Sequence, residues 1–337
     1  MTLEKGLISV IMSNYNTPEE YLRDAVESIL NQTYSNFEFI IVDDCSTDNS
    51  LEIIESYKDS RIIIIKNEVN LGITKSLNRA LAVAKGEYVA RMDADDISLP
   101  ERFQKQVDYL NKHPDTIVCG TWVSLFGNGA DSLKEKQACK MLPEKDELQI
   151  RLLFGNHTNI IHPTAMFNHR LLIENGISYN ENYIYAQDYR MWVDCCRKGN
   201  LANVPELLFN YRIHSKAVST DKKSAQTKCA ENIMSEQLSW LGLELPEDWE
   251  AIHWGLLTGR KPYDIRYKNW IKKIIRSNKR HKIFNHKKLK KTLWAKWTET
   301  VYFELAKSQN ISKKIKVLLN LPIKFYPKLI GIRKTRS

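Results

Sequence analysis

Four short, largely apolar runs, Leu7–Met12, Phe37–Val42, Arg61–Lys66 and Tyr88–Met92, are separated by segments of a different rhythm. After the first, Leu22, Ala25, Val26, Ile29 and Leu30 recur at helical spacing; before the fourth, Ile73, Leu77, Ala80, Leu81 and Ala84 do the same. A further helix is expected from about Asn49 to Tyr57. Strand and helix alternating to four strands within about 95 residues leave few architectures. Parallel strands need a long crossover, and a helix supplies it. The expected class is therefore α/β, with a Rossmann-like, mostly parallel sheet flanked by helices. Two helix starts carry capping signals: Thr17 ahead of Pro18 and Glu20, and Ser98 with Glu101 in S-x-x-E spacing.

Such sheets bind ligands in the crevice beyond the carboxyl ends of their strands. Polar sequence sits at those ends here: Ser13–Asn16, Asp43–Asp48 and Asp93–Asp96. The last is the most demanding, because a buried strand delivers Asp93, Asp95 and Asp96 within four residues. Carboxylates repel, and a hard divalent cation, Mn2+ or Mg2+, relieves them while sharing its remaining positions with phosphates. Taken alone, the cluster reads more readily as a solvated turn ahead of a helix N-terminus, where acids are welcome. Three polar edges meeting at one crevice favour a nucleotide-sized site with a metal. Neither G-x-G-x-x-G nor G-x-x-x-x-G-K-[ST] occurs near the first strand, which argues against NAD enzymes and P-loop NTPases.

SVIMSNYN, IIVDDCSTDNS, NEVNLGITKSLNRAL and GEYVARMDADD, in that order and spacing, resemble the nucleotide-binding half of family-2 glycosyltransferases, whose fold is called GT-A. The likeness covers roughly residues 6–113 and continues more loosely to about 220. It implies that Tyr15, with Ser13 beside it, lines a uracil, that Asp44 bonds the base, that Asp93 lies towards the ribose and diphosphate, and that Asp95 ligates the metal. From the residues alone, Tyr15 reads as a turn aromatic and Asp44 as a turn or helix cap. In similar enzymes an acidic pair opens a helix at Gln187-Asp188, the Asp serving as catalytic base. Gln187 departs from that pattern and Asp188 keeps it, although a plain N-cap would explain Asp188 as well. The likeness further implies a third metal ligand at His214, help for the leaving phosphate from Arg212 or Lys216, and a substrate or acceptor contact at His162. His157 reads as structural, and Leu133–Lys140 as a surface excursion beside the site.

The net charge of +10 is unevenly spread. Residues 251–337 carry 24 Lys+Arg against 3 Asp+Glu, whereas residues 1–250 carry 26 against 37. Beyond Arg260, basic residues interleave with Trp270, Ile271, Ile274, Phe284, Leu289, Leu293, Trp294 and Trp297 at helical spacing. Basic amphipathic helices of this kind suit an anionic headgroup layer; a helical subdomain with a solvated basic face is the competing reading. No recognition motif accompanies the charge, so nucleic acid is not an expected partner. The start has no signal-peptide architecture, and no run approaches a membrane span. The 6 cysteines lack framework spacing and are expected as reduced thiols.

The expected organisation is a GT-A domain over 1–218, with a nucleotide-binding half at about 1–113 and an acceptor half at 114–218, followed by a helical basic region over 219–337. The expected activity is metal-dependent, inverting transfer of a hexose or N-acetylhexosamine from a UDP-sugar to a lipid-linked saccharide. The expected place is the cytoplasmic face of the membrane, peripherally bound, in surface polysaccharide synthesis. The alternatives are a sugar-nucleotide nucleotidyltransferase and a non-enzymatic adaptor for anionic polymers.

Overall fold

The strand β1 (Glu4–Asn14) lies at the centre of the parallel part of the sheet, between β2 (Phe37–Asp43) and β4 (Gly86–Asp93). Ile8, Val10, Ile11 and Met12 are buried on both of its faces, which is why the sequence there is a continuous apolar run rather than an alternating one. The computed structural model describes residues 2–127, 145–155, 160–213, 223–258 and 264–307. The chain divides into two compact units, Met1–Ala230 and Glu231–Ser337.

In the first unit, α1 (Glu19–Leu30), α2 (Ser50–Ser56) and α3 (Ile73–Val83) carry the crossovers among β1, β2, β3 (Ile62–Lys66) and β4. Then follow β5 (Ile97–Ser98), α4 (Arg102–Lys112), β6 (Thr116–Phe126), α5 (Lys145–Leu152), β7 (Met166–Asn168), α6 (His169–Glu174), α7 (Gln187–Lys198) and β8 (Asn200–Arg212). The eight strands form one sheet in the order β3-β2-β1-β4-β7-β6-β8-β5. β1 to β4 are parallel; β7 runs antiparallel to both β4 and β6, and β5 antiparallel to β8. The sheet is thus mixed, its parallel half being the one read from the sequence. At the β1–β4 seam Gly86 admits no side chain: a Cβ would lie 2.6 Å from both the Leu7 carbonyl and the Ser9 nitrogen.

Both capping expectations give way to longer-range contacts. Pro18, not Thr17, precedes the first helical residue, and the Thr17 carbonyl accepts from Ser50 Oγ at 3.3 Å. Ser98 lies in β5, where Leu99 N donates to the Leu208 carbonyl at 3.0 Å and Ser98 Oγ accepts from Gln32 Nε2 at 3.1 Å. Pairing with β8 therefore takes the residues that would have capped α4. Arg102, at the start of α4, is fully buried. Its Nη2 donates to the Arg91 carbonyl at 2.9 Å and the Ala165 carbonyl at 3.3 Å, and its Nε to Gln106 Oε1 at 2.9 Å. Burial pushes its pKa down to about 9.

Helix α8 (Lys223–Ser239) begins in the first unit and ends in the second. The second unit continues with α9 (Trp249–Thr258), α10 (Ile265–His281) and α11 (His286–Lys307). Asp264 caps α10, accepting from Arg266 N at 2.8 Å. Trp270, Ile271, Ile274, Phe284, Leu289, Leu293 and Trp297 are buried. These side chains, read from the sequence as partners for a headgroup layer, instead form the unit's own core, and its charged faces are what remain outside. Among the described residues no helix is long and apolar enough to cross a membrane. Cys45, Cys119, Cys195, Cys196 and Cys229 are free thiols.

Candidate functional site

Strand register builds the floor of the site. Ser13 lies between Val42 of β2 and Asp93 of β4, and Asn14 beside Asp43. Asn14 Nδ2 donates to Asp43 Oδ1 at 3.0 Å, and Asp43 also accepts from Ser46 N at 3.1 Å and Ser46 Oγ at 2.6 Å. The loop after β1 is tied to the loop after β2: Asn16 N donates to Ser46 Oγ at 3.1 Å and Thr47 N to Asn16 Oδ1 at 2.8 Å. Asn16 and Cys45 hold left-handed backbone (φ 49° and 63°), which these bonds stabilise. Tyr15 stands on this loop with 49 % of its surface exposed, leaving a ring face available for stacking.

Asp44 is buried, and its carboxylate organises the turn ahead of α3. It accepts from Asn67 Nδ2 at 2.6 Å, Leu71 N at 2.8 Å and Gly72 N at 2.8 Å. Gly72 provides the positive φ (+83°) that turns its N–H inward. Asn67 in turn donates to Ser76 Oγ and accepts from Arg79 Nη1. A carboxylate has about four acceptor positions, so one remains open at Asp44.

The side-chain oxygens of Asp93, Asp95 and Asp96 lie within 4.8 Å of one another at the mouth of β4. Asp96 is buried; one oxygen accepts from Arg212 N at 2.7 Å, and the other has no hydrogen-bond partner. Burial, then the charges of Asp93 and Asp95, hold the Asp96 carboxyl well above the usual range. Burial also raises Asp93, against the lowering effect of Arg91. An orphaned buried oxygen within a cluster of mutually repelling carboxylates fits a hard divalent cation.

Two neighbours of this cluster, Arg91 and Tyr211, escaped the sequence reading, and a third, Arg212, is engaged differently from the expectation. Arg91 is buried and pairs with Asp93. Burial alone would lower its pKa, but Asp93 carries it above the ordinary value, so it stays charged. A cation inside an apolar strand two residues from an acid cluster was the available signal. Tyr211 sits beside the acids, its phenol pushed up by burial and by Asp93, Asp96 and Asp95. The Arg212 guanidinium, expected to help the leaving phosphate, is engaged within the protein: Nε donates to the Asp95 carbonyl at 2.6 Å, Nη2 to Asp24 at 2.7 Å, and it lies over the Tyr21 and Phe126 rings. It clamps the acidic turn to α1.

On the other side, His162 begins a 3-10 turn ahead of β7, with Nε2 at 2.9 Å from the Tyr179 hydroxyl and its ring edge-on to Tyr179 and Trp192. Burial, then the charge of Arg91, holds its pKa well below 6.5, so the imidazole is neutral. Asp188 is the second residue of α7 rather than its cap, a position taken by Ala186. It accepts from Tyr189 N at 2.7 Å, within the first turn, where the helix dipole favours an anion. The Tyr179 phenol is pushed up chiefly by burial, against the lowering charge of Arg91. His214, His157, Lys216 and the 133–140 excursion lie outside the described residues.

The profile of the family described as Glycosyl transferase family 2 matches residues 9–176. An uncharacterized glycosyltransferase of Methanocaldococcus jannaschii is 39 % identical over 216 residues, spanning 63 % of this chain and 72 % of that protein. An Escherichia coli protein, the UDP-Glc:alpha-D-GlcNAc-diphosphoundecaprenol beta-1,3-glucosyltransferase WfaP, is 32 % identical over 64 % of this chain and 81 % of its own length. Residues 1–349 of TarS from S. aureus, solved with UDP-GlcNAc, superpose with a TM-score of 0.56 at 19 % identity, covering 89 % of this chain and 90 % of that one, which identifies the GT-A fold. Both alternatives, nucleotidyltransferase and adaptor, are thereby set aside. An acid-ended parallel strand in a GT-A sheet, the family profile over the same residues and relatives above 30 % identity agree, and the chain belongs to glycosyl transferase family 2.

Proposed function

We propose that this glycosyltransferase moves a hexose or N-acetylhexosamine from a UDP-sugar to a hydroxyl of a lipid-linked saccharide, with inversion, in the assembly of a surface polysaccharide. The observation that carries the reading is the cluster Asp93, Asp95 and Asp96 beside Ser13 at the strand ends. The ligand in the TarS structure and the name of WfaP support UDP as the donor nucleotide, and the name of WfaP supports a diphospholipid acceptor.

In this reading Tyr15 stacks on the uracil, Ser13 lies beside it, and the open acceptor position of Asp44 takes a base N–H. Asp93 faces the ribose and diphosphate. Asp95, with Asp96 beside it and His214 as a further ligand, would hold Mn2+ or Mg2+. When bound, that ion stabilises charge developing on the departing UDP. Asp188 accepts the proton of the acceptor hydroxyl as its oxygen bonds to the anomeric carbon, opposite the breaking bond to the diphosphate. His162 and Tyr179, a neutral pair, offer hydrogen bonds to saccharide hydroxyls. The basic C-terminal region holds the enzyme peripherally at an anionic cytoplasmic membrane face.

The test is calorimetric titration of UDP into the protein with Mn2+, with EDTA and with Asp95→Asn. Binding that needs both the metal and Asp95 supports the site. Metal-independent binding removes the ligation scheme, preference for GDP or dTDP changes the donor class, and binding of no nucleotide overturns the reading.

A further inference from the structure

Six polar side chains of α10 share one face. Asn269, Lys272, Lys273, Arg276, Ser277 and Arg280 follow at three- and four-residue steps, whereas Tyr267, Trp270, Ile271 and Ile274 of the opposite face are buried. Beside this stripe runs the segment from Leu241 to Glu244. Ser277 Oγ donates to the Leu241 carbonyl, and Lys273 Nζ to the Glu244 carbonyl at 2.8 Å. Gly242, at φ +63°, lies against His281 so closely that a Cβ would be 2.7 Å from the imidazole. Between the stripe and Leu243 lies an open groove of about 690 Å3, with Leu243 as its apolar side.

Lys272, Lys273, Arg276 and Arg280 all line this groove, and among the described residues none is paired with a carboxylate. Elsewhere in the same unit cations do find acids: Arg266 pairs with Asp248 and Asp264, and Lys296 with Glu299. A solvated basic helix face is ordinarily convex. This one forms an open groove against Leu243, no carboxylate lines it, and it carries two guanidinium forks suited to paired oxyanion contacts. Its volume is that of a small-molecule pocket, ~300–1,000 Å3.

We propose that this groove binds phosphate groups, either those of a soluble diphosphate or those of an anionic lipid headgroup. The inference goes beyond the donor-site reading: no residue of the Asp93–Asp96 turn takes part, and failure of either leaves the other standing.

The experiment uses the full chain in EDTA, so that no metal holds diphosphate at the acidic turn. Inorganic diphosphate is titrated by calorimetry, and vesicles of phosphatidylglycerol in phosphatidylcholine are used for cosedimentation at fixed ionic strength. Arg276→Glu with Arg280→Glu is compared with Lys287→Glu with Lys290→Glu, which removes two exposed cations of the same unit outside the groove. The groove variant is expected to weaken at least one probe about tenfold or more, and the control less than about threefold. Loss of diphosphate binding assigns the soluble source, and loss of vesicle binding alone assigns the headgroup. If charge reversal lowers the melting temperature, Arg276→Gln with Arg280→Gln is read instead. Equal weakening by groove and control variants, or no binding of either probe by the wild-type protein, overturns the proposal.

Discussion

Substituting Asp44 by Ala separates two roles that one carboxylate can hold. In the structure it receives Asn67 Nδ2 at 2.6 Å and the Leu71 and Gly72 amides at 2.8 Å, all from the turn ahead of α3. Hydrogen bonds to a charged group contribute about 1.5–3 kcal/mol each, and such bonds are not additive within one network. The Asn67 amide is buried and would be left unpaired, whereas the two backbone amides are only partly buried and can recover water. The expected loss is about 3–5 kcal/mol. For a unit of this size, each kcal/mol lowers the melting temperature by about 2–4 °C, giving roughly 6–20 °C. Asp44→Asn keeps one acceptor but turns an NH2 towards a donor, so it should fall between wild type and Ala. Scanning calorimetry and guanidinium denaturation measure the loss, with UDP titrations run beside them. An Asp44→Ala protein within about 1 kcal/mol of wild type that has lost UDP would refute the network argument and leave Asp44 as a ligand-facing group alone.

Mn2+ should raise the melting temperature of the wild-type protein and not of Asp96→Asn, while the metal-free variant is at least as stable as wild type because a buried, repelled carboxylate has gone; a differential scan with and without EDTA reads both. Asp188→Asn should lower sugar transfer by about 10²–10⁴-fold with UDP affinity unchanged, and a parallel loss of UDP binding would remove its role as base. His162 has a folded-state pKa held below 6.5, so the unfolded chain binds its proton first and stability falls as pH drops below 6.5. His162→Asn should flatten that fall in denaturant titrations, by at most about 1.4 kcal/mol per pH unit. Gly86→Ala forces a methyl against the Leu7 carbonyl and the Ser9 nitrogen and should destabilise by about 1–3 kcal/mol in the same titrations.

The parallel half of the sheet was readable because its signals are local: each of the first four strands is a continuous apolar run, and each crossover helix has its own period. What failed was set by partners far along the chain. Ser98 has the right neighbours for a cap, yet β8, more than a hundred residues later, recruits Ile97 and Ser98 into a ladder. β8 begins at Asn200, but exposed Pro205 and Glu206 coincide with a register shift against β6 and interrupt its apolar pattern, which hides the first half of the strand. In the site, residue types marked the acids, the resemblance alone marked Tyr15, and the distant partners of Asp44 and Arg212 could not be foreseen. A charged side chain gives no hint of whether its partner is a ligand or a backbone amide brought in by another loop.

Arg102 links the Arg91 carbonyl on β4 to the Ala165 carbonyl ahead of β7, across the line where the two halves of the first unit meet. With β7 hydrogen-bonded on both sides, that line is a continuous sheet and not a joint. The crevice therefore has no hinge along its base. Substrates are expected to enter, and products to leave, without that seam opening. An enzyme built this way should show nucleotide-dependent hydrogen exchange in the loops beyond the strand ends while the amides of β4 and β7 stay protected throughout the cycle.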